Sequence, residues 1–142
     1  MRGLLLFVLL SSLAACAAPE NDIDGRPEPI GDFRLGFSEV VAPNIQKLLI
    51  SQDATAEEWT EAVDRAVEAR FSRFEGSRFY HFGISVEGYS LPPPLVPGES
   101  YLAMRVTVWD DANQRKLDED TELILTVIDF ENRLSLTRDE RI

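Results

Sequence analysis

His81, Ser85 and Glu87 place an imidazole, a hydroxyl and a carboxylate along one strand-like run, the residue types of a hydrolytic triad. Period-two alternation turns all three to one face, but residues two apart on a strand stand about 7 Å apart. Ser85 lies two such steps from His81, so a nucleophile–base hydrogen bond within that strand is excluded. No G-x-S-x-G elbow occurs either. Asp110, Asp111, Asn113, Asp118, Glu119 and Asp120 gather oxygen donors of the kind that hold Ca²⁺. Their spacing departs from the EF-hand loop, and Arg115 and Lys116 dilute their charge, so solvated turn acids are the expectation. His81 is the only histidine and Cys16 the only cysteine. A zinc triad, an intramolecular disulfide and a multi-cysteine metal site are therefore excluded. No catalytic residue, metal or cofactor is expected. A third group, Tyr89, Tyr101 and Trp109, falls at strand ends opposite the main apolar stripes and is the candidate patch for a protein partner.

The elements that would position these residues follow from periodicity. Phe33, Leu35 and Phe37 alternate with small or polar residues, as in a strand with one buried face. Thr55 and Glu58 form a T-x-x-E capping box. Trp59, Val63, Ala66, Val67, Phe71 and Phe74 then recur at helical spacing, with Gly76 at the position of a C-terminal cap. This predicts an amphipathic helix of about five turns whose apolar stripe is core. Tyr80, Phe82, Ile84 and Val86 alternate next, then Leu102, Met104, Val106 and Val108. The run 121–130 is apolar at nearly every position, as in a central strand buried on both faces. A proline cluster, Pro92-Pro93-Pro94 with Pro97, separates two of these runs as a semi-rigid loop. Residues 131–142 read as a short edge strand or a tail. The order β-α-β-β-β predicts an α+β fold, one amphipathic helix on a small antiparallel or mixed sheet of about four strands.

Charge narrows the function classes. The chain of 142 residues carries a formal net charge of −11. Such acidity disfavours nucleic acid and direct adsorption to anionic headgroups. Residues 17–31, AAPENDIDGRPEPIG, are rich in proline and acids and poor in large apolar side chains, a tether's composition.

The first residues explain the tether. Arg2 is followed by an apolar stretch, Leu4 to Leu10, and then by Leu13-Ala14-Ala15-Cys16. The stretch is shorter than the roughly 20 residues of a spanning helix. The four-residue motif resembles the lipobox of bacterial lipoprotein precursors. The resemblance implies removal of residues 1–15, acylation of Cys16, a tether over 16–31 and a single domain over 32–142. With Ala17 after the cysteine, it implies the outer membrane, facing the periplasm. The run V-T-V-W-D-D-A-N-Q-R-K-L is similar to hairpins of small uncharacterised envelope lipoproteins. The expected role is a non-enzymatic, membrane-anchored adaptor that binds another envelope protein. The alternative is a small-molecule or ion-binding module, or a minor hydrolase.

Overall fold

The computed structural model describes residues 25–48, 50–97 and 99–128. The expected signal segment 1–15, Cys16, most of the expected tether and the segment 131–142 lie outside the described residues. Among the described residues the fold is α+β, with one helix and a six-stranded mixed sheet. The elements are β1 (Arg34–Val41), β2 (Gln46–Lys47), α1 (Ala56–Phe71), β3 (Phe79–Ser90), β4 (Ser100–Asp110), β5 (Arg115–Lys116) and β6 (Glu122–Ile128).

Six strands occupy four positions, which accounts for the difference from the expected four. β1 and β2 both pair with β3 in parallel, end to end along one of its edges. β5 and β6 both pair with β4 antiparallel, end to end along its outer edge. Each outer strand is interrupted once by a loop. β3 and β4 form the antiparallel centre. The parallel partners β1 and β3 must be joined by a crossover, and α1 supplies it.

The capping box closes as its residue types require. Glu58 N–H donates to Thr55 Oγ1 at 3.1 Å, and Thr55 N–H donates to Glu58 Oε2 at 2.7 Å. The buried face of α1 is Trp59, Ala62, Val63 and Val67, while Ala66 points outward. These side chains meet Phe82, Ile84 and Val86 of β3 in the core. Phe33 joins them, stacked on Tyr80 with centroids 5.3 Å apart. Each large side chain so buried contributes about 1.5–3 kcal/mol.

Two expectations need correction. The helix ends at Phe71 with Ser72 as its cap, so Gly76 is not a C-terminal cap. Gly76 instead runs against Phe33, donating its N–H to the Phe33 carbonyl at 2.8 Å, and a Cβ there would overlap the Phe33 backbone. The apolar run 121–130 does not form a central strand: β6 pairs only with β4 among the described residues, and Leu123 and Leu125 are each 60% exposed. A short run such as Leu123-Ile124-Leu125 reads alike for a buried strand and for an outer strand, and here Ile124 on the other face is 43% exposed too.

Candidate functional site: the uncovered face of the sheet

Pairing places side chains in register across the strands, and partners share a face. Ser38 of β1 reaches the helix, donating to Asp64 Oδ1 at 3.0 Å, so its neighbours Phe37 and Glu39 point the other way. On that far side the register builds transverse rows. Phe37, His81 and Trp109 form one, Glu39, Gly83 and Thr107 the next, and Val41, Ser85, Arg105 and Leu123 the third. Leu125 and Val127 continue the face along β6. Phe37, Val41, Phe79, Trp109, Leu123, Leu125 and Val127 are all exposed there, whereas the opposite side is packed under α1 along β1, β3 and β4 and left exposed at Ile124 of β6.

His81 organises one end of this face. Its Nδ1 accepts the Phe37 N–H at 3.2 Å, which assigns the ring proton to Nε2, 3.5 Å from Asp111 Oδ1. The Phe37 and His81 rings lie 4.7 Å apart. A bulge in β1 makes room: the register shifts between Leu35 and Phe37, and a Cβ on Gly36 would overlap the His81 ring. His81 is thus a spacer that fixes Phe37. Ser85 stands two rows from Phe37 and His81, and Glu87 turns toward Arg105, with 3.8 Å between them. The geometry assembles no triad from His81, Ser85 and Glu87.

Tyr89, Tyr101 and Trp109 do not form one patch. Tyr89 is 3% exposed and packs on Trp59 of the helix, centroids 5.3 Å apart. Its hydroxyl donates to the Ala54 carbonyl and accepts the Ala54 N–H, both at 3.0 Å. A second bulge explains the misplacement. The register of β3 against β4 shifts between Val86 and Gly88, leaving Glu87 as an extra residue that reverses the alternation beyond it. Tyr101 and Trp109 remain on the uncovered face but at opposite ends of β4, about 26 Å apart along the strand.

Chain comparison adds nothing to these features. No family model, curated protein or solved structure matches the chain.

The acidic turn resolves into a structural corner. Asp110 is buried, accepts from Arg78 Nη2 at 2.8 Å, and takes both the side-chain and backbone N–H of Asn113. Burial pushes its carboxyl up, but the Asn113 hydrogen bonds and the Arg78 charge outweigh it and hold Asp110 below the usual 3.8. Asp118, Glu119 and Asp120 are exposed. Among the described residues no three His, Cys, Asp or Glu side chains converge on a point that could hold a metal.

Two shallow concavities, of about 490 and 360 Å³, meet over Glu39, Gly83 and Thr107. Reading the sequence alone missed this trough. The signal was present in Gly83, a mid-strand glycine between apolar neighbours, but only the pairing register shows what flanks it.

Proposed function

We propose that the chain is a membrane-anchored envelope lipoprotein acting as a non-catalytic adaptor, with the uncovered sheet face as its docking surface. The observation that carries this reading is the sidedness of the sheet: seven large apolar side chains of the strands are exposed on the face opposite α1, against Ile124 on the α1 side. A soluble domain gains nothing from that arrangement alone, whereas a protein-binding one uses such a patch as the centre of its interface. The LAAC motif supports acylation at Cys16, and the composition of residues 17–31 supports a tether reaching about 50 Å when extended. Each buried methylene of the lipid contributes about 0.8 kcal/mol, so two or more chains hold the domain at the bilayer, here the outer membrane facing the periplasm. Confinement to a surface raises the effective concentration of domain and partner. The hydrogen-bonding atoms of His81 are committed to Phe37 and directed at Asp111, which favours binding over catalysis.

The test is a crosslinking pull-down from intact bacterial cells, comparing the wild-type chain with Cys16→Ser. The expected result is one envelope protein recovered with the wild type and lost with the variant. Recovery of nothing above background would remove the adaptor reading.

A further inference from the structure

Gly83 is the one strand glycine on this sheet whose missing side chain the described residues do not explain. Gly36 makes room for the His81 ring, and a Cβ on Gly88 would stand 3.1 Å from the Gln46 carbonyl oxygen. A Cβ on Gly83 meets nothing within 4 Å, and no positive φ calls for glycine there. Neither bulge includes it. A glycine inside a strand lowers stability through its backbone entropy and its absent packing, and often marks a place where a ligand or another chain approaches closely.

The walls of the space above Gly83 identify what fits. On one side stands the row of Phe37, His81 and Trp109, with Phe37 held in place by the His81 ring. Glu39 lies beside Gly83 on β1, exposed, with no cation at ion-pairing distance among the described residues. Thr107 flanks the opposite side with its hydroxyl 3.1 Å from that of Thr121. Arg105, the one cation of the far wall, faces Glu87 and sits two strands away from Glu39. An aromatic wall beside a carboxylate, on a chain of net charge −11, suits a planar cation with an apolar stem.

We propose that the trough over Gly83, between Phe37 and Glu39, receives an arginine side chain of the partner protein. The guanidinium stacks on Phe37 and donates to the Glu39 carboxylate, while the methylene stem crosses the bare backbone of Gly83. This inference rests on the adaptor reading and specifies the partner's chemistry.

The experiment is a titration of the isotope-labelled full chain with the peptide acetyl-Ala-Arg-Ala-amide, read from amide shifts in the NMR spectrum. The same peptide with citrulline, which keeps the shape and loses the charge, is the control. The expected result is a saturable shift confined to residues around Gly83, absent with citrulline. Gly83→Val abolishes it, and Glu39→Gln weakens it about three- to five-fold. Gly83→Val also raises Tm, because the added methyls enter open space and favour the strand. Equal shifts from the citrulline peptide, or shifts that survive Gly83→Val, would overturn the proposal. A Tm lowered by Gly83→Val would overturn it too, since the chain's own residues would then fill the trough. The two readings fail separately: a partner crosslinked equally well by Gly83→Val leaves an adaptor without an arginine slot, whereas no partner crosslinked by the wild-type chain removes the adaptor itself.

Discussion

Tyr89 and Gly83 lie six residues apart on β3, an even separation that a regular strand turns to one face. They face opposite sides because the extra residue at Glu87 reverses the alternation between them. The local pattern carries a trace of that bulge: the apolar positions run Tyr80, Phe82, Ile84 and Val86 and then change phase to Tyr89 and Leu91, across Glu87-Gly88. The aromatic patch read from the sequence fails for this reason, and Tyr89 acquires a different job. Its hydroxyl satisfies both backbone groups of Ala54, just ahead of the helix cap, and joins the entry of α1 to β3. Tyr89→Phe keeps the ring packing and strands those two groups, so urea unfolding should show a loss of about 1–3 kcal/mol. An unchanged midpoint would mean that water replaces the hydroxyl at no cost.

At the scale of elements, the helix was the most legible part, because a capping box and a 3.6-residue apolar period are local signals. Thr55→Ala removes the acceptor for Glu58 N–H and should cost about 1 kcal/mol, with helix content by circular dichroism preserved in the folded state. The helix terminus was less legible. Gly76 resembles a cap by position, yet its role is the close approach to Phe33, a contact 43 residues away that no local pattern encodes. The interruptions that divide the outer strands into β1/β2 and β5/β6 are likewise settled by pairing with β3 and β4. The two bulges act as positioning devices. One seats His81 against Phe37, and the other sends Tyr89 into the core while Glu87 stays beside Arg105.

For the molecule as a whole, one helix can cover only one face of a sheet, and here it covers the face centred on Phe82, Ile84 and Val86. The alternation on β1, β3 and β4 already separated the two faces, so the apolar side of the core was readable. The character of the far side was not, because it is assembled from single residues contributed by four strand positions. Phe37 and Trp109 become neighbours of one row only through His81. β6 adds the largest exposed apolar segment and ends the sheet with an edge unpaired among the described residues, which is open to β-strand addition. The acidic surface elsewhere keeps such a face soluble by repulsion and leaves cationic partners favoured.

The central claim is that this face, and not the helix side, meets the partner. A photo-crosslinking amino acid placed at Leu125 or Val41 on the uncovered face, and at Glu61 or Arg65 on the outer side of α1, tests it in intact cells. The account predicts one discrete adduct from Leu125 and Val41, none from Glu61 or Arg65, and loss of the adduct when Cys16 is replaced by serine. Adducts of equal yield from both sides, or from the helix alone, would contradict it.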